Sequence, residues 1–368
     1  FNNLIDKTST EDKVRLLRRR IAEAFYEIYQ KIFFKAYSDT KVSRVIDMFL
    51  KYGFFDENLL TNDQCIELYY LEEESTKNGS CKVYNIKEWL TEIYEGRKEP
   101  KSEFDLDYSE NLREIKKTRK MTPEEERDYL TDPRKKVEYE IKNMFRYNNR
   151  LVNGQISTFV PILYKENINS SFSKILLTSG KINSMVDQLL EIDYSVFHRE
   201  VLYYDNEKGI KKEYIMKQVF PDIIMLPTIG VNTFMWQVID GKKRDTSGRF
   251  IFPIFNEGDL WDMLIKALGR FRFELCRTIQ GTAWNNIREK SLTSEYVDYI
   301  QFYRKNRELT EEKREKIKNQ IQKGKHNMRE IFLIDYTLWI KNESQGSIKL
   351  NKPAREILST YCPFARPI

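Results

Sequence analysis

The chain has 368 residues and a net charge of +6; 40% of the residues are hydrophobic and 32% charged, enough for a sizeable core under a heavily charged surface. No run approaches about 18 consecutive apolar residues, which excludes an ordinary transmembrane helix. Phe1 to Lys7 also lack the basic region, apolar core and small-residue cleavage site of a secretory signal.

Only two histidines occur, His198 and His326. That inventory excludes a His-rich zinc site and an H-E-x-x-H protease. The 14 glycines are scattered and form neither G-x-x-x-x-G-K-S/T nor G-x-G-x-x-G, so the common phosphate-cradling loops are absent. Cys65, Cys81, Cys276 and Cys362 include no C-x-x-C pair, and so few cysteines in a chain this long fit a reducing cytoplasm better than a disulfide framework. The chain lacks an initiator Met and reads as a fragment of a longer protein.

Residues 1–150 read as a helical region. Ser9 is placed to cap a helix carrying Leu16, Leu17, Ile21, Phe25 and Ile28 at helical spacing. Val42 to Tyr52 is a second amphipathic stretch closed by Gly53, and Tyr84 to Tyr94 a third closed by Gly96. The charged stretch from Glu95 to Asp107 reads as an exposed connection. Thr122-Pro123-Glu124-Glu125 is the sharpest local signal: a capping threonine, a proline suited to the first helical position and a glutamate that completes a capping box. Asp132-Pro133 opens a further helix, with Val137, Ile141, Met144 and Phe145 on one face.

Residues 151–257 change character to a mixed α/β segment. Ile156 to Tyr164 is rich in β-branched and aromatic residues, and Ile223 to Leu226 is a short apolar run after Pro221. Phe234 to Ile239 and Phe250 to Phe255 flank a polar stretch containing Asp240-Gly241 and read as two strands joined by a turn. Met185 to Ile192 reads as a helix between strands. Residues 258–368 return to helix. Asp259 to Phe273 has one broad apolar face, Ser291 or Ser294 caps a helix bearing Tyr296, Tyr299, Ile300 and Tyr303, and Thr310 caps a basic helix. Ile331 to Ile340 is apolar enough to be buried. The predicted fold is α+β and helix-dominated, with a small central mixed sheet and helical N- and C-terminal regions.

Three patterns invite a chemical reading. Pro221-Asp222 followed by Asp240-Gly241-Lys242 matches the order of a PD-(D/E)xK nuclease. There, two carboxylates (here Asp222 and Asp240) hold Mg²⁺, which polarises the phosphate and activates water, while the lysine supports the nucleophile. The competing reading of Asp240-Gly241 is a hairpin turn, and it comes first. Trp236, and Trp284 with Asn285, offer indoles and an amide to a flat polar ligand, against the commoner role of tryptophan as core. From Arg304 to Arg329 ten Lys/Arg face four Glu, an excess equal to that of the whole chain. Tyr296 beside Arg304, Lys305 and Arg307, followed by Lys313, Lys316 and Lys323, resembles a base-stacking and phosphate-binding surface. The alternatives are the buried face of an amphipathic helix for the tyrosines and a solvated helix for the charges.

Several segments resemble a family of large bacterial proteins, some of which carry a cyclic nucleotide-binding domain elsewhere. They are Val45-Ile46-Asp47-Met48-Phe49-Leu50-Lys51-Tyr52-Gly53-Phe54, Pro221-Asp222-Ile223-Ile224, Met235-Trp236-Gln237, Ser291-Leu292-Thr293-Ser294-Glu295-Tyr296, Gln301-Phe302-Tyr303-Arg304-Lys305-Asn306, Leu350-Asn351-Lys352 and Tyr361-Cys362-Pro363-Phe364. The resemblance implies a cytoplasmic bacterial signalling protein and supplies no catalytic residues. The expected function is therefore a non-enzymatic regulatory or scaffold region with a protein partner and no cofactor. Mg²⁺ enters only with the nuclease alternative, and nucleic acid only with the basic helix.

Overall fold

A computed structural model describes residues 10–39, 41–54, 57–75, 79–100, 108–146, 148–151, 171–205, 210–236 and 244–365. In chain order the helices are α1 (Glu11–Ser38), α2 (Arg44–Tyr52), α3 (Asn62–Ser75), α4 (Ile86–Tyr94), α5 (Tyr108–Thr118), α6 (Pro123–Thr131), α7 (Pro133–Arg146), α8 (Phe172–Ile175), α9 (Ser179–Ile192), α10 (Leu260–Gln280), α11 (Leu292–Phe302), α12 (Glu311–Lys323), α13 (Met328–Lys341) and α14 (Lys352–Tyr361). The strands are β1 (Lys82–Asn85), β2 (His198–Asp205), β3 (Ile210–Gln218), β4 (Asp222–Gly230), β5 (Phe234–Trp236) and β6 (Arg249–Asn256). The fold is α+β and helix-dominated, as its composition pattern predicts.

Helix ends follow local chemistry. Thr122 and Glu125 form the reciprocal capping box at the start of α6, with Pro123 in the first turn. Gly53 closes α2 at φ 80°, a left-handed conformation that glycine adopts without a Cβ clash. Ser291 caps α11 and Thr310 caps α12. Thr10, rather than Ser9, caps α1, its hydroxyl accepting from the Lys13 amide; Ser9 lies outside the described residues.

Four strands form a mixed sheet in the order β1-β4-β6-β5, with β1, β4 and β6 parallel and β5 antiparallel to β6. Parallel strands need cover on both faces, and β4 and β6 supply apolar side chains to each. Ile224, Leu226 and Ile251 pack with Phe25, Tyr29, Trp89, Ile141 and Phe145 from α1, α4 and α7. Ile223, Met225, Phe250 and Phe252 turn the other way, toward α9, α10 and the C-terminal helices. Helices from residues 1–150 and strands from 222–256 thus share a core.

Two features depart from the expected elements. Tyr84 belongs to strand β1, and the helix starts at Ile86, where Asn85 and Glu88 build a capping box. β2 and β3 form a separate antiparallel ribbon that the charged sequence conceals. The expected strand over 156–164 lies outside the described residues, and the expected hairpin is described only as β5 pairing β6.

Beyond the sheet, Arg272 on α10 ties the C-terminal half together. It bonds both oxygens of Asp193, donates from Nη2 to Ser195 Oγ at 2.7 Å, and from Nη1 to the Tyr361 carbonyl at 3.1 Å. Tyr336 donates to Asp193 at 2.7 Å. Burial opposes the Arg272 charge, but Asp193 outweighs it and the guanidinium is held above its ordinary pKa.

Candidate functional site

Asp222 starts β4 and is buried. Lys98 Nζ donates to both its oxygens, at 2.9 and 2.7 Å. Its register partner on β6 is Arg249, which pairs with Glu140 at 2.8 Å and lies 4.6 Å over the ring of Trp89. Trp89 Nε1 donates to the same Glu140 oxygen at 2.7 Å. Burial and the Asp222 charge hold the Tyr84 hydroxyl above its usual pKa. These contacts bind Asp222 into an internal polar network. Asp240 and Lys242 lie outside the described residues, and no group of three or more His, Cys, Asp or Glu that could hold a metal occurs among the described residues.

The aromatic stripe on α11 is core rather than surface, which corrects its reading as a stacking platform. Tyr296, Tyr299 and Tyr303 are buried, because the apolar stripe of an amphipathic helix turns inward. Tyr296 donates to Asp335 at 2.8 Å and meets Phe332 edge-on at 5.2 Å. Arg304, Lys305 and Arg307 are exposed; Arg304 Nε donates to Tyr303 Oη at 3.2 Å and Lys305 lies over Phe302. On α12, Lys313 is half-buried, Lys316 pairs with Glu312 at 2.7 Å, and Lys323 is exposed at the end of the helix. Trp284 is half-buried edge-on to Phe273, and Asn285 beside it is exposed. Trp236 ends β5.

A different place has the makings of a site. Where the ribbon meets α10 and the start of α11, a cavity of about 280 Å³ has His198, Arg199, Glu200, Arg244, Arg272 and Lys290 in its lining. Val196, Leu275, Ile279 and Leu292 add apolar side chains, and Cys276, Gln280, Ser291 and Tyr361 complete it. Strand alternation decides which ribbon residues turn inward. Arg199 and Val201 are buried, whereas Tyr204, Tyr214 and Met216 are exposed. Glu200 and Leu202 pair across the ribbon with Met216 and Tyr214.

Arg199 is 4% exposed. Its Nη2 donates to the Thr246 carbonyl, and among the described residues its Nε and Nη1 have no hydrogen-bond partner. Burial lowers its pKa to about 10, opposed by the charge of Asp245. A guanidinium carries five N–H donors in a planar fork and does not lose its proton at neutral pH. Leaving such donors buried and unpaired costs on the order of 1–3 kcal/mol. The other cations of the wall are differently placed. Arg272 is committed to Asp193, Arg244 stands 3.7 Å from Glu200 and 4.9 Å over the Tyr214 ring, and Lys290 is exposed at the rim. The start of α11, through Ser291 and Leu292, adds the positive end of a helix dipole. The arrangement can accept an anion.

No sequence motif singles out Arg199. The available signal was the alternation of Arg199, Val201 and Tyr203, which puts the arginine on the apolar side of a strand. Part of the cavity's lining comes from the last quarter of the chain. Residues 281–368, which include Lys290, Ser291, Leu292 and Tyr361, match a family described as a domain of unknown function (DUF8509). No curated protein matches the chain, and no solved structure matches it.

Proposed function

We propose that this chain is a non-catalytic regulatory region of a larger bacterial cytoplasmic protein, one that binds a small organic anion and relays its presence to a protein partner. The observation that carries this reading is the charge of the cavity: four cationic side chains line it, and two of them, Arg199 and Lys290, have no ion pair among the described residues. The cavity also joins separate parts of the chain: the ribbon supplies Arg199, α10 supplies Leu275 and Ile279, and the matched C-terminal stretch supplies Lys290 and Tyr361. A ligand held by all three favours the arrangement in which they are packed together, and this differential affinity is what a regulatory element needs. Arg244 extends from the cavity wall to Tyr214 on the exposed ribbon face, giving the occupied site a route to the surface. No helix of the described residues is long and apolar enough to cross a membrane, which agrees with a cytoplasmic setting.

The test is the thermal midpoint of the full chain against a panel of small organic anions, each compared with its uncharged analogue. The reading predicts that at least one anion raises the midpoint and that Arg199→Met abolishes the rise. No response to any anion, or an equal response in Arg199→Met, would remove it.

A further inference from the structure

Among the described residues the backbone of β3 pairs only with β2. Lys212, Glu213, Tyr214, Met216, Lys217 and Gln218 are exposed, and Ile215 is half-buried. We infer that this free edge pairs with the same edge of a second copy of the chain, antiparallel about a two-fold axis at Ile215, so that two ribbons become one four-stranded sheet. The inference goes beyond the anion-binding reading and does not depend on it.

The first argument is the open edge. A strand with one neighbour leaves half of its N–H and C=O groups without a ladder partner, and these are a template for another strand. A ribbon of two strands is marginal in water and gains stability from further strands. β2 is the inner strand of this ribbon: its Arg199 and Val201 are buried, and Arg199 bonds back to the Thr246 carbonyl. β3 is the outer strand, with Tyr214 46% and Met216 65% exposed.

The second argument is that the edge is complementary to itself. A two-fold axis normal to a sheet keeps every side chain on its own face, so in a symmetric antiparallel pair it passes between a residue and its own copy. Centred on Ile215, the pairing sets Glu213 opposite Lys217, Tyr214 opposite Met216, Lys212 opposite Gln218 and Ile215 opposite itself. The first three pairs each occur twice. Directly opposed ion pairs and aromatic contacts are what stabilise neighbouring strands. No other symmetric register over residues 212–218 opposes Glu213 to a lysine. Centred on Glu213 or Lys217, the axis puts like charges together; centred on Tyr214 or Met216, it sets Glu213 or Lys217 against Ile215.

The third argument concerns the lysines and the inner face. Lysine on an edge strand ordinarily discourages pairing with other chains. In this register the partner edge answers it: Lys217 meets Glu213, and Lys212 meets the uncharged Gln218. On the inner face Ile215 lies across β2 from the buried Val201. The two residues from both copies then form one apolar row across four strands, which covers the half of Ile215 now facing water.

Sedimentation equilibrium of the full chain tests the pairing. Seven paired residues per copy make a small interface, so the expected dissociation constant is about 1–100 μM. Glu213→Lys and Lys217→Glu each turn both Glu–Lys pairs into like-charge pairs and should weaken the dimer about tenfold or more. An equimolar mixture of the two variants sets opposite charges face to face again, as does the double variant Glu213→Lys/Lys217→Glu. Both should associate within about threefold of the wild type. All of these side chains are exposed, and circular dichroism of dilute samples confirms that each variant is folded. A wild-type chain that stays monomeric at about 1 mM would overturn the inference. So would a dimer indifferent to either charge reversal, or single variants whose weakened association is not recovered in the mixture.

Discussion

Glu140 and Arg249 are 109 positions apart in the chain and meet 2.8 Å apart in the interior, their side chains 0% and 6% exposed. One element of the pair is on α7 and the other on β6, so the contact fastens an N-terminal helix to the central sheet. Trp89 reinforces it twice, by donating to Glu140 and by lying beneath the guanidinium. Burial pulls the Arg249 pKa down and Glu140 opposes that pull. Removing Glu140 takes the paired carboxylate from a buried guanidinium and leaves it the Glu99 carbonyl and the more distant charge of Asp222. Glu140→Ala should therefore destabilise the protein by about 3–5 kcal/mol, measured as a shift in urea midpoint. A loss below about 1 kcal/mol would mean that water reaches Arg249.

Asp335 gives a pH signature. Its carboxyl accepts from Tyr296 Oη at 2.8 Å, and burial pushes its pKa up to about 6 despite that hydrogen bond. The unfolded value is near 3.9, so between these limits the native state holds a proton that the unfolded chain has released. Stability from this group is full below about pH 4 and is lost as pH rises through about 6. A shift of two units corresponds to about 3 kcal/mol. Asp335→Asn keeps an acceptor for Tyr296 and removes the titration. Its urea midpoint should decline less than the wild type's from pH 4 to pH 7, and parallel curves would contradict the assignment.

Gly230 ends β4 where the chain passes Leu151. A Cβ built there would stand 2.3 Å from the Leu151 carbonyl oxygen, a backbone atom that no side-chain rotation can move aside. That carbonyl already accepts from the amides of Val231 and Asn232. Gly230→Ala should cost about 1–3 kcal/mol through overpacking. A neutral result in thermal unfolding would show that the contact yields.

The unpartnered donors of Arg199 predict an inverse relation between binding and stability. Replacing a buried unpaired charge by an apolar side chain of similar length removes a desolvation cost, while the Thr246 carbonyl loses one donor. Arg199→Met should therefore be at least as stable as the wild type without ligand, and yet gain nothing from ligand. A loss above about 1 kcal/mol in the ligand-free protein would mark Arg199 as structural.

Local chemistry in the sequence carried much of the helical framework. The Thr122 box, Gly53 after α2 and the caps Ser291 and Thr310 are set by residues three or four apart, so a single stretch of sequence contains the whole cause. The sheet was legible in its most apolar parts, β4, β5 and β6. β1 reads Lys-Val-Tyr-Asn and merges with the apolar pattern of α4, and its identity as a strand comes from pairing with β4, about 140 positions later. β2 carries Arg, Glu and Asp, and β3 three Lys and a Glu, because one face of the ribbon meets solvent.

The candidate sites separated for the same reason. What Asp222 does depends on Lys98, 124 positions away, and the burial of Tyr296 depends on Phe332 and Asp335. Arg199 acquires its setting from Thr246, α10 and the start of α11 together. No motif spacing encodes a cavity assembled from five stretches of chain.

The most direct test of the central claim reads the Arg199 side chain itself. In protein labelled with ¹⁵N-arginine, its Nε–H signal is identified by its loss in Arg199→Met and followed while the organic anion that raises the thermal midpoint is added. Binding at this guanidinium predicts a saturable shift of that signal, with the signal of the buried, Glu140-paired Arg249 unmoved. An Arg199 signal that stays fixed while the compound binds elsewhere, or does not bind, would contradict the account.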